Sequence, residues 1–176
     1  MEEWIALALE LGFEKAALVC TKDIPFEPAF RKYCADNVCG NYGTNWSCPP
    51  DCGTPEEMER KLKAFPKALV FVTAWKIDYR DAAAVREAKR EHNRRARALI
   101  GQMPNTLGMM VGASACNLCQ VCARTVGEPC RYPEEMASCM SAYCIHVRAL
   151  SDACGMTYDA GDNTVHFFGM YAFEEI

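Results

Sequence analysis

The sequence has no apolar run near the roughly 20 residues that a membrane-spanning helix requires. It also lacks the usual signatures of substrate chemistry. A phosphate-binding glycine loop, a dinucleotide fingerprint, a Ser-His-Asp order and a paired-carboxylate pattern are all missing. Histidine is scarce: His92, His146 and His166 are scattered, and each reads as a surface or internally satisfied polar residue rather than a ligand. The net charge is only -4 over 176 residues, which gives no bias toward nucleic acid or an anionic membrane. The opening Met-Glu-Glu-Trp has no basic region and no small-residue cleavage site, so the expectation is no export signal and a cytoplasmic location. There is no internal repeat and no low-complexity tract.

What the chain does have is cysteine, twelve in all. A disulfide framework fits poorly, because no export signal is seen and a chain of this length buries a core without staples. Several cysteines also stand two residues apart, which is ligand spacing. With 51% hydrophobic and 24% charged residues, the composition is that of an ordinary globular protein, read as a single metal-binding domain over residues 1–176.

Periodicity predicts a helix over 2–11, a strand over 16–24 and a long ordered loop over 25–55. A helix follows from Thr54-Pro55-Glu56-Glu57, whose Thr cap, Pro and Glu mark a helix start. A strand is expected at 68–77, a long helix at 81–103 and a strand at 107–113. A Cys-rich loop spans 114–132. A helix is expected over 133–154, with Met136, Met140, Tyr143, Val147, Leu150 and Cys154 as its buried stripe. A terminal hairpin of 157–159 and 165–173 is expected to turn at Gly161-Asp162-Asn163. This order predicts an α/β (α+β) sandwich, a mixed sheet of about five strands covered by about four helices, with two Cys-rich metal-binding loops.

Cys116-x2-Cys119-x2-Cys122-x7-Cys130 directly follows a predicted strand. Two residues between successive cysteines let a loop wrap a cubane cluster and deliver three thiolates, with a fourth, here beside Pro129, coming from further along. The spacing therefore points to an iron–sulfur cluster of the 4Fe-4S kind. Tetrahedral zinc is the competitor, although zinc sites more often use paired Cys-x2-Cys knuckles.

A second constellation is Cys34-x4-Cys39-x8-Cys48-Pro49-Pro50-Asp51-Cys52. Its glycines and prolines suit fixed turns, and Tyr42 and Trp46 are placed to shield a cluster. Cys34, Cys39 and Cys48 are expected to gather around a second centre, with Cys52 or Cys20 as a possible fourth ligand. The spacing matches no simple ferredoxin pattern, so buried thiols are the competing reading. Cys139, Cys144 and Cys154, on the predicted 133–154 helix, show no obvious site.

The segment from Cys34 through Cys39, Tyr42, Gly43, Trp46 and Cys48-Pro49-Pro50, followed by Thr54-Pro55-Glu56-Glu57, resembles the first signature of an uncharacterised microbial family of predicted metal-binding proteins, domain-of-unknown-function family 2284. Cys116, Cys119 and Cys122, with Pro129-Cys130-Arg131 and Pro133-Glu134, resemble its second. The resemblance implies an iron–sulfur or other metal-binding protein with no settled reaction. Cys116, Cys119, Cys122 and Cys130 match its second cysteine group, and Cys34, Cys39 and Cys48 its first. Cys52 is outside the pattern. Downstream the chain departs from it. Ser138-Cys139 stand where Pro-Ser is usual, Ser141 where an acid is usual, Cys144 where Gly is usual and His146 where Asp is usual.

The expected function is electron transfer to or from a redox partner protein through one or two 4Fe-4S clusters. A first loop supplying only three ligands would instead make a reactive open site, as in an enzyme or activase subunit. A structural zinc-binding interaction module is the third reading. The basic positions of the 81–103 helix read as a solvated face.

Overall fold

Residues 2–103, 105–161 and 163–176 are described by the computed structural model. Helix α1 (Glu2–Glu10) begins with Glu2 and Glu3, which favour the positive end of a helix. Strand β1 (Lys15–Cys20) follows, and the chain then leaves the sheet through two short 3-10 turns into α2 (Arg31–Ala35). Helix α3 (Pro55–Lys63) starts as its sequence demands. The Thr54 hydroxyl accepts from the Glu57 N–H, and the Glu57 carboxylate accepts from the Thr54 N–H. Strand β2 (Lys67–Lys76) is largely apolar, buried from Ala68 to Thr73 and exposed at Ala74 and Lys76.

Helix α4 (Ala82–Ile100) is capped by Asp81, which accepts from the N–H groups of Ala83 and Ala84. Strands β3 (Thr106–Gly112) and β4 (Ser138–Cys139), helix α5 (Val147–Ala153) and strand β5 (Thr164–Glu175) complete the chain. The five strands form one mixed sheet in the order β1-β2-β5-β3-β4. All neighbours are antiparallel except β3 and β4, which run parallel with Gly112 opposite Cys139. The fold is α+β, and the sheet is open rather than closed into a barrel.

The core has two parts, one on each sheet face. On one face α1 and α4 pack Ala8, Ala96 and Leu99 against Leu69, Phe71 and Phe173. On the other, Val70, Val72, Phe168 and Met170 meet α3, α5 and the segment around Met140. His92 of α4 is fully buried, with Nδ1 2.8 Å from the Thr73 hydroxyl. Burial, with the Arg95 charge adding to it, pulls its pKa down to about 3, so the ring is neutral at physiological pH. Much of the positive charge along α4 is partnered within the helix: Arg94 and Arg95 both donate to Glu91, and Arg90 faces Glu87.

Three expectations are corrected. The 133–154 segment is not one helix. It forms a turn, the short strand β4 and a tight loop, and only Val147–Ala153 is helical. Cys144 adopts φ 56°, the left-handed region, which no helix interior sustains, and β4 takes its hydrogen bonds from β3 instead. Met140, Tyr143 and Leu150 are still buried, because all three fill the core whatever the backbone does. The first strand stops at Cys20, where a 3-10 turn begins. Among the described residues no hairpin joins 157–159 to 165–173: β5 lies between β2 and β3 and takes its partners from them. Of the expected turn, Asp162 lies outside the described residues.

Candidate metal centre

Strand β3 ends where Gly112 packs against α4. A Cβ at Gly112 would come 2.8 Å from the Asn93 side-chain oxygen, so only glycine lets the strand end this close to the helix. The same Asn93 oxygen accepts from the Ala113 N–H (3.0 Å), and its amide donates to the Ser114 hydroxyl (3.1 Å). The start of the Cys116–Cys130 loop is thereby anchored to α4. Next, the Cys116 N–H donates to the buried Ser47 hydroxyl (2.8 Å), and the Asn45 amide donates to the Cys116 carbonyl (3.0 Å). Asn45 also accepts from Ser47, so one buried pair of the first loop grips the first cysteine of the second.

Cys116, Cys119, Cys122 and Cys130 all line one cleft. Asn45 and Trp46 of the first loop form part of its wall, and Leu118, Arg131 and Tyr132 form another. The cleft is a slot of about 330 Å³, partly open to solvent. The Trp46 indole N–H donates to the Glu128 carbonyl (2.9 Å), and Arg124 lies over its ring while pairing with Asp51 at 2.8 Å. A 3-10 turn at Ala123–Val126 closes on Gly127, whose φ of 73° favours glycine. Trp46, expected to shield the first cysteine group, therefore walls the second. Tyr42 is 39% exposed and does not line this cleft.

The first group is assembled differently. Cys34 sits on α2, Cys39 is exposed, and Cys48 and Cys52 are buried. The Cys34 thiol donates to the Ser141 carbonyl at 3.9 Å. Arg31, also on α2, donates to the Ala142 carbonyl (2.9 Å) and the Gly53 carbonyl (3.0 Å), and approaches the Cys52 sulfur at 3.7 Å. Desolvation, with Cys139 as the next contributor, pushes the Cys34 thiol up to about 11 and the Cys48 thiol up to about 12. Cys52 is raised by burial, against the opposing pull of Arg31. Cys139 is raised by burial, against the opposing pull of the backbone at Ala142 and Ser141. A cluster of thiols this poorly hydrated gains from a metal, which replaces a thiol proton with a bound cation.

Cys20 ends β1 at the surface. Cys154 is half-buried against the core, as expected. Cys139 and Cys144, to which the sequence pattern assigns no role, flank the Ser141 and Ala142 carbonyls that the Cys34 thiol and Arg31 reach. Their spacing hid this, because a helix would have turned them apart and the actual strand and left-handed turn do not. Asn45, Ser47 and Asn93 were also missed: a polar residue, in a Gly/Pro-rich loop for the first two and on α4 for Asn93, carries no signal of which distant backbone group it will grip. Among the described residues, no three His, Cys, Asp or Glu side chains form a ready-made site for a single ion.

The family model for "predicted metal-binding protein (DUF2284)" matches residues 17–172, nearly the whole chain and both cysteine groups. The chain belongs to this family. No curated protein and no solved structure matches it.

Proposed function

Starting from a cysteine-rich member of a predicted metal-binding family, we propose that this chain is an iron–sulfur protein. In this reading Cys116, Cys119, Cys122 and Cys130 hold a 4Fe-4S cluster that carries electrons to or from a partner protein in the cytoplasm. The observation that carries the proposal is that all four cysteines line one cleft at the end of β3. The donor set fits the group: four thiols, delivered by one loop, with no competing carboxylate or imidazole among the lining residues. Zinc asks for donors about 2.0–2.3 Å from a single point. Among the described residues no three such donors are gathered around a single point, a convergence that a polynuclear cluster does not require of its thiolates.

When bound, such a cluster supplies reversible one-electron chemistry. The chain's own residues do the rest. Trp46 and Tyr132 screen the thiols on two sides of the slot. Four protein thiolates leave no open coordination position for substrate, which favours a carrier over a Lewis-acid catalyst. The exposed Val121 and Val126 lie on the same loop and give a partner apolar surface close to the thiols.

Metal and sulfide analysis of protein purified without oxygen tests the reading. The expected result is a brown protein with iron and acid-labile sulfide in equal amounts, reversibly bleached by a one-electron reductant. A colourless protein with stoichiometric zinc would overturn it in favour of a structural module.

A further inference from the structure

We infer that the open edge of β5 binds an extended, acidic peptide segment of a partner protein, which adds a strand to the sheet beside Val165–Phe168. The inference does not depend on which metal the chain holds. The edge exists because β5 has neighbours of unequal reach. β2 pairs with it as far as Thr164, opposite Lys76, whereas the last pair with β3 is Met170, opposite Val111. Beyond Gly112 the chain leaves into the Cys116 loop, so 165–168 have a strand on one side only. In an antiparallel ladder, alternate residues turn N–H and C=O to the neighbour, and those between turn theirs the other way. Among the described residues, no backbone hydrogen bond from another segment reaches 165–168 on the vacant side.

A cleft of about 1130 Å³, open to solvent, occupies that vacancy. Five successive residues of β5, Thr164 to Phe168, line it. Successive side chains of a strand point to opposite faces, so a cleft that touches all five runs along the edge of the strand rather than over one face. Its far wall is Ala113, just past the end of β3, with Met140 and Ser141 after β4 and Val147 of α5. Five residues of extended chain span about 17 Å, the length of an ordinary strand.

Charge specifies the occupant. The chain carries a net charge of -4, yet three cations edge this cleft, each over an aromatic ring that lines it. Lys89 Nζ stands 5.5 Å from the centre of the Phe167 ring, and the guanidinium carbons of Arg148 and Arg80 stand 4.4 Å and 4.9 Å from those of Tyr158 and Tyr79. Elsewhere on α4, Arg90, Arg94 and Arg95 have glutamate partners, but among the described residues no carboxylate pairs with these three. Asp159, the acid in the cleft wall, accepts from the Gly161 N–H. A strand that brings carboxylates to this rim finds unpaired cations, while the β5 backbone supplies a ladder. It also lies beside both cysteine groups, because the Ser141 carbonyl receives the Cys34 thiol and Ala113 opens the Cys116 loop.

The test uses the full chain purified without oxygen. Its probe is the fluorescein-labelled peptide Val-Glu-Val-Glu-Val, amidated at its end, with binding read by fluorescence anisotropy and its place by amide hydrogen exchange. The expected result is one peptide per chain and slower exchange over 164–168. Lys89→Gln and Arg148→Gln should each weaken binding by about 2–5-fold, as for a partly exposed ion pair, while Arg86→Gln, elsewhere on α4, leaves it unchanged. The same peptide with alternate backbone amides N-methylated keeps its charges but cannot form a ladder, and should not bind, a readout that needs no variant to fold. Absence of binding by the acidic peptide, equal binding of its N-methylated form, or unchanged exchange over 164–168 would each overturn the inference. So would self-association of the free chain that protects 164–168, since a second copy would then be the occupant. Failure of the iron–sulfur reading would appear in the metal and sulfide analysis alone and leaves these outcomes as they are.

Discussion

In the loop from Cys116 to Cys130 the thiols are close in sequence and face one cleft, whereas the loop from Cys34 to Cys52 spreads its thiols over a helix, an exposed turn and a buried corner. The difference lies in what orders each loop. The later loop leaves Val121 60% and Val126 67% exposed, so it buries little apolar surface of its own. Its hold on the protein comes from borrowed polar partners, Asn93 of α4 and Asn45 and Ser47 of the earlier loop. The earlier loop buries Ser47, Cys48 and Cys52 against the core and is tied down by Arg31. On the proposed reading the later loop takes its order from metal, and the earlier one has packing to rely on before any metal binds. A chain can place two chemically similar donor sets in two very different mechanical settings.

The sharpest way to break this comparison is to remove the metal. Ordering backbone costs about 1–2 kcal/mol per residue. In the Cys116–Cys130 loop, metal–thiolate bonds are the proposed source of that energy, since ligands assembled only in the folded state turn binding into folding free energy. Amide hydrogen exchange of holo, apo and Cys119→Ser protein should show large loss of protection over 116–130, with β2 unchanged and a smaller loss over 45–52. Equal protection of the later loop in all three states would mean that packing holds it.

The link between the loops is the next target. Ser47→Ala removes the hydroxyl that accepts from the Cys116 N–H and donates to Asn45, and leaves a part-buried amide without its partner. The expected cost is about 1–3 kcal/mol, measured as a drop in unfolding free energy in denaturant. Exchange should rise at 113–119 as well as at 45–48. A cost confined to the first loop would show that the two loops are ordered independently.

The smallest expected effect lies at the rim. Arg124 pairs with Asp51 across the two loops, with side chains 31% and 18% exposed. Exposed pairs contribute about 0–1 kcal/mol and are screened by salt. Arg124→Gln should lower stability by no more than that at low ionic strength, and the difference should fade in high salt. A larger, salt-independent loss would point to the contact of Arg124 with the Trp46 ring as the stronger part.

Local patterns were legible where one short segment carries the whole message. The Thr54–Glu57 capping box, the apolar run of β2, the span of α4 and the four cysteines of the later loop depend on neighbours a few residues away, and all were readable from residue order. The 133–154 segment was misread because its apolar residues fall at helical intervals by chance of core filling. Met140, Tyr143 and Leu150 are buried by contacts with β2, β3 and β5 that no window of sequence contains.

By itself, then, residue order determined that the chain is an α+β domain with a four-cysteine loop after its third strand, since hydrophobic period, capping chemistry and ligand spacing are local properties. Only the tertiary structure decided that Asn45 and Ser47 clasp Cys116, that Trp46 walls the later cysteines, and that Cys34 and Arg31 of α2 meet the turn after Cys139. Those outcomes follow from the parallel pairing of a two-residue strand with the end of β3 and from polar side chains meeting backbone groups far away in sequence. Contacts of that kind become favourable only once the sheet exists to bring their partners together.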